Sequence, residues 1–276
     1  MRLGIHLPQI GRKAGPEGIK RAAIQAETLG FADVWTSEHI ITPAGAMYPP
    51  SPVFYDPVLS LTWAAAYTTR VGLGTSVLVL PMRHPLPLAK ELATLQNLSG
   101  GRFILGAGVG WLEAEFAAMG VPFTERGRRM DEGIAMMRAA WSDDPVSFPS
   151  RWIAAEIDNM RMMPKPGWPI PIWIGGTSEP ALKRAARLDG WHGSRATPEQ
   201  AAPLVAKLRA ARPEPEFAIS LRAAWDGKDE GALKERLEGF AAVGVGHVMV
   251  EPFDREINDW LRSVERIAGA GAAFLA

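Results

Sequence analysis

The chain has 276 residues, 47% of them hydrophobic and 22% charged, and its 30 Lys+Arg balance its 30 Asp+Glu. That neutral balance argues against a nucleic-acid binder, which needs surplus Lys and Arg to displace counterions from phosphates, and against a membrane-surface protein for the same electrostatic reason. With no cysteine, a disulfide framework, a thiolate metal site and a cysteine nucleophile are all excluded, so redox chemistry has to be borrowed from a cofactor. The N-terminus runs from Met1-Arg2 straight into Leu-Gly-Ile-His-Leu with no long apolar run behind it, and no stretch of about 18 apolar residues follows. A cytoplasmic location is expected.

In chain order, an apolar run at 3–7 stopped by Pro8 predicts a strand. Ile19, Ala22, Ala23 and Ala26 then predict a helix at the i, i+3, i+4, i+7 spacing. A second strand is expected at 32–36, then a helix opened by Asp56 as N-cap and Pro57 at the first helical position. A Val- and Leu-rich third strand covers 71–79, and a helix from Pro85 places Leu88, Leu92 and Leu95 on one face before Ser99-Gly100-Gly101 ends it. Strand four is expected at 102–107, strand five at 172–174, strand six at 190–192, strand seven at 217–221 and strand eight at 247–250, with helices after Ser178 and Pro198 and over 230–242. Strands apolar throughout, alternating with helices, predict an α/β fold of the TIM-type (β/α)8 barrel class, one domain spanning 1–276. A helix at 126–141 and the proline-rich stretch to 171 break the rhythm. They are expected to form, with their flanks, an insertion after strand four, about 112–170, over the barrel mouth. The Met130, Ile134, Met137, Trp141 stripe on that helix is expected to be packing.

Chemistry in such a barrel sits where strands end, which directs attention to His6, Ser37-Glu38-His39, Thr75-Ser76-Val77, Gly108-Val109-Gly110-Trp111, Gly175-Gly176-Thr177-Ser178 and His192 to Arg195. Glu38-His39 is the one Glu-His pair at a strand end, and a carboxylate beside an imidazole sets a proton donor near neutral pH. Gly175 to Ser178 reads either as an anion cradle, in which two glycines permit close backbone approach to a phosphate, or as a plain helix cap. Gly106 to Gly110 is not a dinucleotide fingerprint, because Trp111 fills its third glycine slot. Asp56 and Asp189 read as structural. His6, His39 and His192 could also converge on a metal, although no His-x-His or His-Glu-x-x-His spacing exists.

Several ordered segments carry a resemblance: Ala26 to Phe31, Trp35 with Ser37-Glu38-His39, Tyr55-Asp56-Pro57, Leu73 to Leu78, Leu98 to Arg102, Gly106 to Trp111, Glu125 to Arg129, Ile172 to Gly176, and Asp189-Gly190-Trp191. Together they resemble the luciferase-like monooxygenase superfamily over residues 1 to about 250, in its coenzyme F-420 (deazaflavin)-dependent branch. The resemblance implies a TIM-type barrel with an insertion after strand four. It also implies a flavin or deazaflavin ring against Ser76-Val77, a peptide bond expected to be cis. The cofactor tail would lie along Gly108, Val109, Gly110 and Trp111, with its phosphate on Gly175, Gly176, Thr177 and Ser178. His39 would act at the reactive carbon with Glu38 tuning it. His6, Arg83 and Arg195 remain candidates to meet substrate. Relatives that oxidise sugar phosphates carry an acidic residue where Trp111 stands, so that activity is not carried over. The expected reaction is hydride transfer between F-420 and a small organic substrate. The alternatives are an FMN-dependent monooxygenase using reduced flavin and oxygen, a metal-dependent hydrolase, and a flavin-binding relative without turnover. A homodimer and a separate flavin or F-420 reductase system complete the expectation, with no metal, nucleic acid or membrane partner.

Overall fold

The computed structural model describes residues 1–45, 49, 51–153, 156–194 and 196–276. Among them, β1 (Arg2–His6), β2 (Asp33–Thr36), β3 (Gly72–Thr75), β4 (Leu78–Val79) and β5 (Phe103–Gly108) precede a hairpin of β6 (Val146–Phe148) and β7 (Ile157–Met160). Then come β8 (Ile172–Gly175), β9 (Gly190–Ser194), β10 (Ala218–Trp225) and β11 (His247–Pro252). The helices are α1 (Pro16–Thr28), α2 (Pro57–Ala65), α3 (Pro85–Leu98), α4 (Glu113–Ala118), α5 (Arg126–Ser142), α6 (Glu179–Ala185), α7 (Pro198–Ala211), α8 (Glu230–Ala242) and α9 (Ile257–Ala270).

Parallel pairing runs β3-β2-β1-β11-β10-β9-β8-β5, and a further β3–β5 pairing through Leu73↔Phe103 and Gly74↔Ile104 closes the ring. The protein is therefore a TIM-type barrel of eight parallel strands, with β4 as an added short strand beside β5. The expected third strand at 71–79 is in fact two pieces. Its break falls at Ser76-Val77, whose peptide bond is cis, and the chain re-pairs on β5 through Leu78↔Ala107 and Val79↔Gly108.

Local sequence explains the helices as read. Ile19, Ala22, Ala23 and Ala26 bury one face of α1, and the Asp56 carboxylate caps α2 by accepting from the Leu59 N–H at 2.9 Å. Leu88, Leu92 and Leu95 bury the inner face of α3, each contributing about 1.5–3 kcal/mol relative to exposure. No helix among the described residues is long and apolar enough to cross a membrane.

The region after strand four requires a correction. The helix expected to be extra is α5, and it takes the place of the ring's fourth regular helix, burying Met130, Ile134 and Met137 beside α3. Trp141 of the same stripe is only half-buried and donates from Nε1 to the Ala89 carbonyl of α3. Nor is 112–170 one excursion over the mouth. The loop with α4, between the end of β5 and the start of α5, lies at the carboxyl ends of the strands, and Trp152 returns to the first turn of α5, where Arg128 covers its ring at 5.0 Å. The β6–β7 hairpin loop folds back on α5, where Glu132 accepts from the N–H groups of Arg151, Trp152 and Ile153. The proline-rich return crosses the opposite end of the barrel, where Asn97 and Gln96 at the end of α3 bond the carbonyls of Lys165 and Pro169. The connection from a helix end back to the next strand has to lie on that face, because strand and helix run antiparallel.

Candidate active site

His39 follows β2 and stands at the rim of the mouth. Its Nδ1 lies 3.1 Å from Oε2 of Glu115, whose Oε1 accepts the N–H groups of Ile40 at 2.6 Å and Ile41 at 3.2 Å. Glu115 is buried; burial pushes its carboxyl up, but the bonds from His39, Ile40 and Ile41 outweigh this and hold it below the usual carboxylate range. An ionised carboxylate only accepts, so Nδ1 carries a proton, and Nε2 makes no hydrogen bond among the described residues. The ring is flanked edge-on by Phe54 at 5.2 Å and Trp111 at 5.9 Å, with Ile40, Ile41 and Trp111 exposed nearby. The rim around His39 is apolar.

Glu38 is not the partner of His39. It is buried, with Oε2 accepting from the Val79 N–H at 2.6 Å and Oε1 from Arg83 Nε at 2.6 Å, while Arg83 Nη2 reaches Asp56 Oδ2 at 2.6 Å. Burial works against charge on Arg83, but Glu38 and Asp56 on either side raise it and keep the guanidinium protonated. Burial pushes Glu38 the other way, upward, and Arg83 opposes it; with a guanidinium and a backbone N–H on its two oxygens we assign the ionised pair. Glu38 and Arg83 thus pin the chain at Val79 and cap residue Asp56. Residues 38 and 39 lie in the loop after β2, and each takes its partner from a different segment, Val79 and Arg83 for Glu38 and Glu115 for His39.

The floor of the mouth is polar and interlocked. His6 Nδ1 donates to the Leu7 carbonyl at 2.8 Å, so its Nε2 accepts, and it does so from Ser37 Oγ at 2.7 Å. Ser37 Oγ also lies 3.0 Å from the Ser76 carbonyl, but its single proton is then committed to His6. Arg222 Nη1 donates to both Ser37 Oγ at 2.8 Å and the Ser76 carbonyl at 3.0 Å, while its Nε and Nη2 hold Glu251 Oε2 at 3.0 and 2.6 Å. Burial lowers His6 to about 4, so it is neutral at pH 7 with both nitrogens engaged, which leaves it no means of meeting a substrate anion. His192 is likewise bound inside the barrel, between Ser76 and Ser220. The three histidines that were candidates for a shared metal each have separate partners, and no metal-holding cluster of three His, Asp or Glu occurs among the described residues. Arg195 lies outside the described residues.

Val77 is packed between two strand ends. A Cβ on Gly108 would sit 2.5 Å from Val77 Cγ2, and one on Gly175 would sit 2.8 Å from Val77 Cγ1, so both glycines are needed for the chain at 76–77 to lie against β5 and β8. Val109 and Gly110 follow at the rim, half-buried. Gly176, Thr177 and Ser178 are exposed. Gly176 has φ +102°, and its carbonyl is held by Trp191 Nε1 at 2.7 Å. Ser178 occupies the N-cap position of α6, where its carbonyl accepts from the Leu182 N–H at 3.0 Å, without making a side-chain cap bond.

Three functional groups were missed from sequence. Glu115 lies 76 positions from His39. Arg222 and Glu251 fall beyond the expected ends of their strands, because β10 runs to Trp225 and β11 to Pro252.

The chain belongs to the luciferase-like monooxygenase family, whose profile matches residues 2–272. It is 32% identical over 193 residues to the F-420-dependent glucose-6-phosphate dehydrogenase of Amycolatopsis mediterranei, covering 65% of this chain and 55% of that one. Its fold superposes on an F-420-dependent secondary alcohol dehydrogenase solved with an F-420-acetone adduct, with TM-score 0.80, 18% identity and 98% of each chain covered. It also superposes on the oxygenating constituent of 3,6-diketocamphane monooxygenase from Pseudomonas putida, solved with FMN, with TM-score 0.76, 16% identity and 100% and 99% covered.

Proposed function

We propose that this protein transfers hydride between coenzyme F-420 and a small organic substrate of low polarity. The carrying observation is His39: one nitrogen is fixed by buried Glu115, the other is left for a reacting group, and aromatic and aliphatic side chains surround it. The F-420-dependent activity of the dehydrogenase relative supports the choice of cofactor. Its sugar-phosphate substrate is not carried over, because Trp111 stands where relatives that oxidise sugar phosphates carry an acidic residue.

The chain fits such a cofactor. Ser76 and Val77 would back the ring, Gly108, Val109, Gly110 and Trp111 would flank its tail, and Gly175 with the exposed Gly176, Thr177 and Ser178 would take its phosphate. Bound there, a deazaflavin supplies the two-electron hydride chemistry that no side chain of this cysteine-free chain provides. His39 holds or returns the proton at the substrate oxygen through Nε2, Glu115 orients it, and Phe54 and Trp111 exclude water. A homodimer, a cytoplasmic setting and a separate reductase system that recycles the cofactor belong to the same reading.

Titration of the apo-protein with F-420 and with FMN, followed by fluorescence quenching in one buffer, tests it. Selective F-420 binding with anaerobic substrate-dependent turnover is expected. Selective FMN binding would replace this reading with an oxygen-using monooxygenase, in line with the FMN-bound neighbour, and binding of neither would overturn both.

A further inference from the structure

Below the floor, a single file of polar side chains descends through the apolar interior of the barrel. Ser76 Oγ lies 2.9 Å from His192 Nε2, His192 Nδ1 lies 2.7 Å from Ser220 Oγ, Ser220 Oγ lies 2.6 Å from His247 Nδ1, and His247 Nε2 lies 2.7 Å from Asp33 Oδ1. Every member is buried. The file begins at the carboxyl end of β3 and finishes on the first residues of β2 and β11, so it spans the barrel lengthwise. Trp35 stacks on His192 at 4.9 Å and 6°, and also donates to Asp33. Gly4 leaves the space for the lower end, where a Cβ would fall 2.0 Å from Asp33 Oδ1. The second oxygen of Asp33 is buried with no hydrogen-bond partner. The His247 ring meets Trp173 edge-on at 5.5 Å, and Trp173 with Arg2 and Ala218 lines a cavity of ≈ 360 Å³ open at that end of the barrel.

Acceptor and donor rules allow this file two states. Asp33 is held below the usual carboxylate range: burial opposes this, but His247, Trp35 and Arg2 outweigh it. It therefore accepts, and His247 Nε2 donates to it. When His247 is neutral, its Nδ1 must accept from Ser220, Ser220 then accepts from His192 Nδ1–H, and His192 Nε2 accepts from Ser76. All bonds point toward Asp33, and Ser76 Oγ offers only lone pairs to the mouth. When His247 takes a second proton, its bond to Asp33 keeps its direction and the others reverse: His247 Nδ1–H donates to Ser220, Ser220 to His192 Nδ1, His192 Nε2–H to Ser76, and Ser76 O–H faces the mouth as a donor.

We propose that this file is a proton relay that connects the amino-terminal end of the barrel to Ser76 at the floor of the mouth. In one passage, an O–H bond of Ser76 breaks toward an anionic oxygen or nitrogen seated on the floor. His192 Nε2 passes its proton to Ser76, Ser220 passes its proton to His192 Nδ1, and His247 Nδ1 passes its proton to Ser220. One proton is delivered, His247 becomes neutral, His192 exchanges its Nε2–H tautomer for the Nδ1–H one, and no electrons move. Ser76 is the terminal group, and His192, Ser220, His247 and Asp33 act through it. The charged groups that face the file are Asp33 from β2, Arg2 from β1 and Arg222 from β10. Burial, with His247 and Arg222 adding to it, lowers His192 to about 3, so it relays by changing tautomer and not by becoming charged. The proposed function enters only in naming what sits above Ser76.

The test uses apo-protein labelled with ¹⁵N in its five histidines, and so does not depend on which cofactor binds. Ring nitrogen shifts are followed from about pH 9 to about pH 5, where an ordinary imidazole changes charge, and assigned with single histidine variants. The expected result is that His192 changes from the Nδ1–H to the Nε2–H tautomer within this range while its ring stays neutral, in step with a change at the His247 ring nitrogens. Ser220→Ala, whose folding is checked by its melting transition, should abolish the tautomer change. A His192 tautomer constant through the range, whether or not His247 titrates, would overturn the relay, as would a tautomer change that survives in S220A.

Discussion

His39 Nδ1 and Glu115 Oε2, 3.1 Å apart, join the end of β2 to the short helix α4 and fix which imidazole nitrogen faces the mouth. The same carboxylate also ties down the backbone of Ile40 and Ile41. It sets both the tautomer and the position of His39.

His39→Ala should therefore retain cofactor affinity and lose turnover by about 10²–10⁴-fold, the range for general acid–base groups. Glu115→Gln keeps the acceptor oxygen but not the charge, and an intermediate loss of about 10–100-fold is expected, with a shifted pH profile of kcat. Anaerobic turnover measured alongside a cofactor titration separates the two effects. Equal turnover in H39A and wild type would remove His39 from the mechanism.

Gly176→Asp should weaken cofactor binding. Gly176 stands at φ +102° with its carbonyl held by Trp191, so an added side chain strains the backbone and sets a carboxylate against the cofactor phosphate. At roughly 4 Å and a surface-like effective dielectric, the repulsion is about 4 kcal/mol before salt screening, and at least a tenfold rise in Kd at low salt is expected. Affinity unchanged by G176D would mean that the phosphate lies elsewhere.

Much of this architecture was legible because a parallel barrel is written in contiguous signals. The apolar runs marked the eight barrel strands to within a few residues, though not the β6–β7 hairpin, and Asp56-Pro57 or the Leu88, Leu92, Leu95 face marked helices directly. What failed was long-range or directional. Glu38 and His39 are neighbours in sequence, yet each took a carboxylate or guanidinium partner from elsewhere in the chain. Arg222 was overlooked because a charged residue following Ile219-Ser220-Leu221 reads as the end of a strand, whereas it continues the strand and turns inward to Glu251. The insertion was misjudged for a related reason. Its length was evident, but its course, back along α5 to Arg128 and Glu132 and then across to the end of α3, is set by contacts between residues far apart in the chain.

Arg83→Met should chiefly reduce stability. The guanidinium separates Glu38 from Asp56, and its removal leaves the Glu38 carboxylate buried without its counter-ion. Breaking one partner of a buried pair costs about 3–5 kcal/mol, measurable by urea unfolding. A variant as stable as wild type but with a raised KM would restore Arg83 as a substrate contact.

Stability should fall as the solution is acidified below neutrality. Unfolded histidine titrates near 6.5, whereas burial lowers His6 to about 4 and His192 to about 3. Between those values the unfolded chain binds more protons than the folded one, so unfolding free energy rises with pH. It is complete above about 6.5 and is lost progressively as pH drops toward the folded values. Each such group contributes a slope approaching 1.4 kcal/mol per pH unit at its steepest. The carboxylates of Glu115 and Glu251, both held low despite burial, add to the loss once pH falls below their unfolded range near 4. Urea unfolding from about pH 7 to about pH 4.5 should show this decline. His6→Gln, which cannot take up a proton, should lose stability more shallowly, by about one proton's worth of slope. Identical slopes for wild type and H6Q would place the acid sensitivity outside the floor of the mouth.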